Sequence, residues 1–306
     1  MTCQIFTDYD AFTESIREAS MTMRLSALEM PKWTLQTVDV ASLRLQKGFE
    51  GGGSIAEGAT FSEGWTFYHQ MSPVHTNGQV ATRNEVFVAP PEGEFCIACQ
   101  PMHEWTTVFI PTPVLFSTPQ ELHFAPSAKP MLLKPPPRVT RRFVSLVHRF
   151  LLAARQYPEL LRSSAASSNF QEEIVTAARA LFVKTPLVEN RNFVRWYRLA
   201  KMTTELALFR PDMSRSISDL ALQSGAAERT LRTAFQKCFG VSPIEYLRVR
   251  RLNQARQLLE SACVGETSVT QIAFQLGFWD LGRFAKAYHQ LFGKLPSETL
   301  RRSSRG

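Results

Sequence analysis

A segment near the C-terminal end of the sequence occurs twice. The first copy reads SISDLALQSG and then ERTLRTAFQKCFGVSP, and the second reads SVTQIAFQLG and then GRFAKAYHQLFGKLP. Equivalent residues lie 52 positions apart before the turn (Gly225 and Gly277) and 53 positions apart after it (Gly240 and Gly293). The second turn is therefore one residue longer, and we expect both copies to adopt the same fold.

Each copy has the pattern of a helix, a tight turn and a second helix. Ser216 with Asp219 has the spacing of a capping box, which predicts a helix start, and Ser268 opens the second copy in the same way. Gly225 and Gly277 stand where a left-handed residue ends such a helix. The second helix of each copy carries an apolar stripe at helical spacing, which we expect to be buried: Leu231, Phe235, Cys238 and Phe239, and Phe284, Tyr288, Leu291 and Phe292.

The opposite face of each second helix is polar and basic. Side chains of these types can hydrogen-bond base edges or phosphates in a DNA major groove. Because this face occurs twice at equivalent positions, we predict that it binds double-stranded DNA. The candidate contacts are Arg229, Arg232, Thr233 and Gln236 in the first copy and Gly282, Arg283, Lys286 and His289 in the second.

The basic surplus of the chain lies in the region that contains the repeat. Residues 191–306 hold 19 Lys and Arg against 9 Asp and Glu, a balance of +10, whereas residues 1–190 hold 16 against 18, a balance of −2. A basic surplus in one region is typical of a nucleic-acid-binding domain. We therefore predict two domains, with a boundary between residues 190 and 191.

One amphipathic helix is predicted between the two copies, over residues 242–262. At about 1.5 Å per residue it would span roughly 30 Å, close to the ~34 Å between successive major-groove faces of B-DNA. One chain could then reach two adjacent groove segments. The residues expected to face inward are Ile244, Leu247, Leu252, Ala255, Leu258 and Leu259.

The segment from Asn192 to Arg302 resembles the DNA-binding domain of the AraC/XylS family of bacterial transcription regulators. The resemblance implies seven helices, with two helix-turn-helix units joined by a long helix. It also implies a dimeric activator or repressor with promoter DNA and RNA polymerase as partners. The residues that carry it are Gly277, Phe278, Phe284, Tyr288, Phe292, Gly293 and Pro296.

By matching position, the resemblance implies that Arg229, Arg232 and Thr233 contact bases. In the second recognition helix the resemblance places Leu281, Gly282, Arg283 and Lys286 at the base-contacting positions. Since Gly282 has no side chain, we expect Arg283 and Lys286 to position the second unit on phosphates. The run GFWDLGRFAKAYHQLFGKLPSETL is also similar to regulators of ethanolamine operons within this family, which implies an amine or amino-acid derivative as effector.

The N-terminal half has a different pattern. Short β-rich runs from Trp33 to about Phe124 predict an antiparallel cupin-like barrel or sandwich, in which GFEGGGS, including Gly51–Ser54, reads as a loop. Beyond the proline-rich AKPMLLKPPPRV, helical spacing predicts two or more helices between about Val139 and Val183. The predicted fold class is α+β, with a β-rich domain followed by helices in residues 1–190 and an all-α domain in residues 191–306.

A β-rich domain followed by helices, as predicted for the N-terminal half, resembles the sensing and dimerisation modules of such regulators. The helices around residues 143–161 and 170–182 would supply a self-association surface for a homodimer. The β-rich part would supply an apolar pocket for a small-molecule effector. The candidate pocket residues are Trp65, Phe67, Tyr68 and Trp105.

Other chemistry finds less support in the sequence. Cys96 and Cys99 lie in an apolar run, where a free thiol is usually buried, and the five scattered cysteines favour a reducing compartment. No apolar run approaches a membrane span, and the start of the chain has no secretory signal. We expect a cytoplasmic protein that does not associate with membranes and binds no metal or cofactor. We also expect that it is not an enzyme. Four histidines match no compact metal-ligand spacing: His69, His75, His103 and His123.

Two alternatives stay open. One is an enzyme with a metal-binding β-barrel and an accessory basic domain, which would carry a stoichiometric metal. The other is an effector-blind regulator whose N-terminal half serves only for dimerisation or for a protein partner.

Overall fold

A computed structural model describes residues 1–17, 19–118, 129–159, 163–183, 192–211, 216–262 and 267–303. The predicted domain boundary at residues 190–191, the predicted sheet end at Phe124, His123 and Cys263 lie outside the described residues. Within them, no helix combines the length and the apolar character needed to cross a bilayer.

The N-terminal half is built on one antiparallel sheet that curls into a barrel-like shape. Its strands in the described residues are β1 (Thr2–Phe6), β2 (Ala19–Val40), β3 (Leu43–Thr60), β4 (Gly64–Gln70), β5 (Val74–Thr76), β6 (Gln79–Ala81), β7 (Val86–Ala89), β8 (Glu94–Cys99), β9 (His103–Pro111) and β10 (Met131–Leu133). Their order along the sheet is β10-β7-β4-β9-β3-β8-β5-β6, and β2 pairs with both β1 and β3.

The long strand β3 lets the sheet close on itself. One edge pairs with β2 along most of its length. On the other edge, Arg44–Glu50 pairs with β9 and Ser54–Ala59 pairs with β8. A single strand thus spans both halves of the sheet, and the residues at its middle lie inside the fold.

The predicted sheet is wrong in two places. The strands begin at Thr2 rather than at Trp33, and the run Gly51–Ser54 lies inside β3 rather than in a loop. Glycine clusters usually mark turns, but here they permit a close backbone approach. A β-carbon on Gly51 would lie 2.2 Å from the Met30 carbonyl oxygen, because the pairing with β2 is irregular at this point.

The helices accompany the sheet and then form the C-terminal region. The predicted helices between Val139 and Val183 are confirmed, and the proline-rich segment before them contains strand β10. From Phe193 onward the described residues form seven helices, the number that the resemblance implies. The helices are α1 (Tyr9–Glu14), α2 (Thr112–Leu115), α3 (Pro137–Gln156), α4 (Ser164–Val183), α5 (Phe193–Phe209), α6 (Ile217–Ser224), α7 (Glu228–Phe239), α8 (Pro243–Ser261), α9 (Val269–Gln275), α10 (Leu281–Phe292) and α11 (Pro296–Ser303).

The sheet packs against helices on two sides. One apolar cluster joins strand residues such as Leu45 and Phe67 to α3 and α4. A second joins Leu25 and Trp33 to buried residues of α8, α9 and α10, and a third joins Cys96 to α5 and α7. The C-terminal helices therefore share their core with the sheet, which the sequence analysis did not predict.

Candidate nucleic-acid interface and interior cavity

The first copy of the repeat forms two short helices that meet at a tight turn. The Ser216 hydroxyl accepts a hydrogen bond from the Asp219 backbone N–H (3.1 Å), and the Asp219 carboxylate accepts one from the Ser216 N–H (2.9 Å). Gly225 ends α6 with a φ of +66°, which a residue with a side chain rarely adopts. The predicted capping box and left-handed glycine are both confirmed.

The second copy repeats this geometry with a different cap on its second helix. Ser268 and Gln271 form the capping box of α9, and Gly277 follows that helix with a φ of +78°. The Asp280 carboxylate then accepts the Arg283 backbone N–H at 2.9 Å, whereas the first copy has Ala227 at this position and no side-chain cap. The longer turn of the second copy therefore ends in Asp280, which caps the N-terminus of α10.

The apolar stripes are buried as predicted. Seven of the eight side chains are fully buried, and Phe292 is half-buried and packed against the same core. This burial fixes which faces of α7 and α10 point outward.

The predicted contact residues of α7 lie together on its exposed face. Arg229, Arg232, Thr233 and Gln236 are all exposed. Arg232 forms an i,i+4 ion pair with Glu228 at 3.5 Å. Exposed pairs of this kind contribute little to stability, so Arg232 can exchange Glu228 for a phosphate or a base at small cost.

The predicted contact residues of α10 form a similar exposed face. Gly282, Arg283, Lys286 and His289 all face outward. The Arg283 side chain is 90% exposed and pairs with Asp280 at 3.2 Å. Since α10 begins at Leu281, Gly282 and Arg283 lie in its first turn, where the positive end of the helix dipole also favours an anion.

Helix α8 joins the two copies, as predicted, but its buried face is shifted. Leu247, Leu252, Ala255 and Leu259 are buried, whereas Ile244 is 38% exposed. In its first turn the buried residues are Pro243, which starts the helix, and Tyr246, which packs on Phe235 and Phe239 of α7. The aromatic contact with α7 therefore decides the orientation of this end of the helix.

An interior cavity lies within the barrel-like sheet. It contains about 670 Å³ of empty space, including the part that is open to solvent. Tyr68 and Trp105, two of the predicted pocket residues, line it, and their rings stack with centroids 6.4 Å apart. The remaining wall is largely apolar and includes Met21, Met23, Phe87, Phe95 and Ile97.

The other two predicted pocket residues lie elsewhere, so the pocket assignment of Trp65 and Phe67 is corrected. Successive side chains of a strand point to opposite faces, and β4 directs Thr66 and Tyr68 toward the cavity. Trp65 and Phe67 point the other way, into the core with α3 and α4, where both contact Phe182.

A single carboxylate enters the cavity wall from β3. Glu50 is 3% exposed, and its Oε1 accepts a hydrogen bond from Trp105 Nε1 at 2.9 Å. Gly48 makes room for this contact, because a β-carbon there would lie 2.3 Å from the Trp105 ring. Burial raises the pKa of Glu50 from its ordinary 4.5 to about 7, although the Ser54 hydroxyl and the bond from Trp105 favour the charged form.

Glu50→Gln is expected to stabilise the protein at pH 8 but not at pH 5. The raised pKa means that the native state keeps its proton between pH 4.5 and about 7. The favourable contribution of the neutral carboxyl is therefore complete below pH 4.5 and lost as the pH rises through about 7. At about 1.4 kcal/mol per pH unit, the shift from 4.5 to about 7 limits the gain at pH 8 to about 3.5 kcal/mol. Urea unfolding at both pH values measures it; equal effects at the two values would contradict the assignment.

His103, Cys96 and Cys99 are buried side chains of the N-terminal half. Tyr68 bonds His103 Nε2 at 2.8 Å, and burial lowers the pKa of His103 to about 4. Cys96 and Cys99 are buried, as predicted; Cys96 packs toward α7 and Cys99 lines the cavity. Within the described residues, no three His, Cys, Asp or Glu side chains form a group that could hold a metal.

Comparison with known proteins identifies the repeat region. Residues 220–302 match the family described as helix-turn-helix domain. The XylDLEGF operon transcriptional activator 2 of Pseudomonas putida is 42% identical over 84 residues, 28% of this chain and 52% of that protein, so the match spans about half of that relative. A solved structure of a probable AraC family transcriptional regulator from Rhodopseudomonas palustris is 31% identical, covering 35% of this chain and 95% of that chain, with a TM-score of 0.30. Residues 220–302 are an AraC-family helix-turn-helix domain.

A more distant structural neighbour covers about three quarters of the chain. The crystal structure of the AraC-like transcriptional activator CuxR is 13% identical, with 77% of this chain and 86% of that chain covered and a TM-score of 0.43.

A partly buried polar cluster connects the AraC-family domain to the sheet. Glu57 of β3 pairs with Arg24 of β2 at 2.8 Å and with Arg250 of α8 at 3.7 Å. It also accepts hydrogen bonds from Tyr197 and Tyr246 at 3.0 and 3.3 Å. Glu57 therefore holds side chains from both parts of the chain around one carboxylate.

Sequence reasoning missed both glutamates. Glu50 lies in the run GFEGGGS, which reads as a loop, and an acid in a loop needs no partner. Had the run been read as a strand, an acidic residue beside close-packing glycines would have indicated a buried carboxylate. Glu57 offered no such signal, since its partners lie up to 193 positions away, at Arg250.

Proposed function

We propose that this protein is a sequence-specific DNA-binding regulator of transcription. The observation that carries the proposal is the pair of exposed polar faces on α7 and α10, at repeat-equivalent positions of an AraC-family domain. The operon activator of Pseudomonas putida named above supports a role in transcription by its similarity. We further propose residues 1–190 as the regulatory domain and residues 191–306 as the DNA-binding domain.

The connecting helix supports a two-site mode of binding. α8 contains 19 residues, which at about 1.5 Å per residue amount to roughly 28 Å. This length suits two helix-turn-helix units that enter successive major-groove segments on one side of B-DNA, about 34 Å apart. We propose that α7 and α10 are the two recognition helices.

The two units have different proposed roles. Arg229 and Arg232 can each donate two hydrogen bonds to guanine, so we propose that α7 reads bases. In α10, Gly282 offers no side chain, and we propose that Arg283 and Lys286 hold phosphates. Phosphate contacts set the register of the protein on DNA without reading its sequence.

The overall proposal is tested by titrating the full-length protein against DNA upstream of its own and neighbouring genes. We expect tight binding to a segment of about 15–20 bp, with a steep loss of affinity as salt rises, because bound cations are released from the phosphates. Equal binding to every sequence, or no dependence on salt, would contradict it.

Arg229→Ala and Arg232→Ala are each expected to weaken binding to the specific site by about 1–3 kcal/mol and to relax the sequence preference. The reason is the loss of a bidentate contact with a base edge. Competition binding against sites with single base changes measures both effects. Arg155→Ala is the matched control, because Arg155 is exposed on α3 in the other half of the chain. An equal loss on all sequences would show that these arginines do not read bases.

Lys286→Ala is expected to weaken all DNA sequences to the same extent. A single phosphate contact contributes about one counterion to the salt dependence, so the slope of log affinity against log salt should fall by about 1. Electrophoretic mobility shifts at several salt concentrations measure the slope. A loss confined to one operator would instead place Lys286 on a base.

The regulatory partners are also proposals. We propose a homodimer formed through α3 and α4, where Leu152 is 58% exposed, and RNA polymerase as the partner at promoters. The resemblance of residues 277–300 to regulators of ethanolamine operons favours a small-molecule effector from that kind of pathway. An enzyme with a metal-binding barrel would require stoichiometric metal in the purified protein, and elemental analysis tests it.

A further inference from the structure

Glu50, a residue of the cavity wall, has one carboxylate oxygen without a hydrogen-bond partner in the described structure. Glu50 Oε1 accepts a hydrogen bond from Trp105, and the Ser54 hydroxyl also favours the charged carboxylate, but no donor of the described residues makes a hydrogen bond of ordinary length to the buried Oε2. No ion pair of the described part of the chain involves Glu50. A buried acceptor without a donor is costly, and an unpaired buried charge more so. Such a group in a native fold indicates a missing ligand or water.

The cavity around Glu50 suits a small, mostly apolar molecule. Phe87, Phe95 and Ile97 supply apolar wall, and the stacked rings of Tyr68 and Trp105 supply aromatic surface. Two hydroxyl groups of the lining, on Thr66 and Thr107, also have no partner in the described structure. The wall therefore offers one acidic group, few neutral polar groups and a large apolar area.

The other titratable groups that face Glu50 are neutral near pH 7. Burial raises the pKa of Tyr9, Tyr68 and Cys99, so none of the three ionises near neutrality. His103, bonded to Tyr68, has its pKa lowered to about 4 by burial and stays uncharged. Asp10 lies on the outer side of α1, where Arg256 binds it. Glu50 is thus the only group in this described set whose charge changes near pH 7.

We propose that the cavity binds a small apolar molecule that carries one protonated amine, with the ammonium N–H donating to Glu50 Oε2. This inference deepens the proposed function because it gives the chemical class of the effector. Binding of an amine in the cavity does not depend on the proposed function, but a regulatory role of that binding does. An ammonium ion supplies both the missing donor and the compensating charge. The faces of Tyr68 and Trp105 add cation–π attraction.

Other ligand classes fit the cavity less well. A carboxylic acid would place a second negative charge beside Glu50, and one of the two groups would have to stay protonated. A sugar would bring many hydroxyl groups to a wall with few polar partners. An alcohol could donate to Glu50 Oε2 but would leave the charge of the ionised carboxylate unpaired.

The test measures binding of three isosteres to the full-length protein by calorimetry: 2-phenylethylamine, 2-phenylethanol and 3-phenylpropionate. We expect the amine to bind at least about ten-fold more tightly than the alcohol, and the acid to bind most weakly. Equal binding of amine and alcohol, tighter binding of the acid, or no heat from 2-phenylethylamine, benzylamine or hexylamine at millimolar concentration would overturn the proposal. This comparison needs no variant.

Two further measurements connect the preference to Glu50. Glu50→Gln should remove the advantage of the amine over the alcohol, while Glu104→Gln should retain it, because Glu104 pairs with Lys47 on the outer surface. Amine affinity of the unaltered protein should also fall as the pH is lowered from 8 to 6, since Glu50 takes up a proton while an alkylamine stays charged. A flat profile, or an unchanged preference in Glu50→Gln, would overturn the role of this residue.

The outcome for DNA is measured separately. Amine binding without specific DNA binding would support the cavity assignment and refute the proposed regulator. Specific DNA binding without any amine binding would support the proposed regulator and refute the cavity assignment.

Discussion

Replacing Phe284 with alanine is expected to lower the free energy of unfolding by about 3–5 kcal/mol. Phe284 is fully buried in α10, with its ring 4.9 Å from Phe278 and 5.8 Å from Tyr288. Its apolar cluster also contains Leu25 and Trp33 of the sheet, so the cavity left by the substitution lies in a core that both parts of the chain share. Urea unfolding, followed by circular dichroism, measures the shift in midpoint.

Phe274→Ala provides the matched control. Phe274 belongs to the same repeat copy but is 40% exposed, and its ring stacks on Trp279, which is itself exposed. We expect a change within about 1 kcal/mol. A normal midpoint for Phe284→Ala, or an equal loss for both variants, would refute the assignment of Phe284 to the core and with it the orientation of α10.

Replacing Glu57 with alanine is expected to cost about 3–4 kcal/mol and to separate the AraC-family domain from the sheet. The substitution removes the shared partner of Arg24 and Arg250, which are about one-fifth exposed. Burial, with a smaller repulsion from Arg250, already lowers the pKa of Arg24. Without Glu57 this repulsion has no counterweight, and Tyr197 and Tyr246 lose an acceptor.

Two measurements test this expectation. Urea unfolding gives the loss of stability, and small-angle X-ray scattering should show a larger radius of gyration if the domain leaves the sheet. Asp39→Ala is the control, because the ion pair of Asp39 with Arg44 is exposed and should contribute less than about 1 kcal/mol. Unchanged stability and unchanged scattering for Glu57→Ala would show that the docking depends on the apolar clusters alone.

The exposed faces of α7 and α10 could be predicted from the sequence almost residue by residue. Helical periodicity places Leu231 and Phe284 in the core and thereby places Arg232 and Lys286 outside. This reasoning requires only local geometry, since residues three or four apart on a helix share a face. The error at Ile244 has the same origin, because periodicity alone does not tell which partner helix the first turn of α8 meets.

The cavity could be predicted only in part. Tyr68 and Trp105 line it, but Trp65 and Phe67 do not, because the face that a strand residue occupies depends on register. Glu50 was missed for a related reason: the glycines around it indicate a loop until the close approach of β2 is known. A local pattern of glycines cannot distinguish a turn from a crossing of two strands.

The sequence by itself determined the repeat, its caps, the buried stripes and the exposed basic faces of the AraC-family domain, because each depends on residues within about two helical turns of one another. Only the tertiary structure decided that β3 pairs with β2, β8 and β9, that Glu50 lies in a cavity wall, and that Glu57 joins Arg24 and Arg250 across the two parts of the chain. Those features arise from contacts between residues far apart in the sequence, and no spacing along the chain records which distant groups will meet.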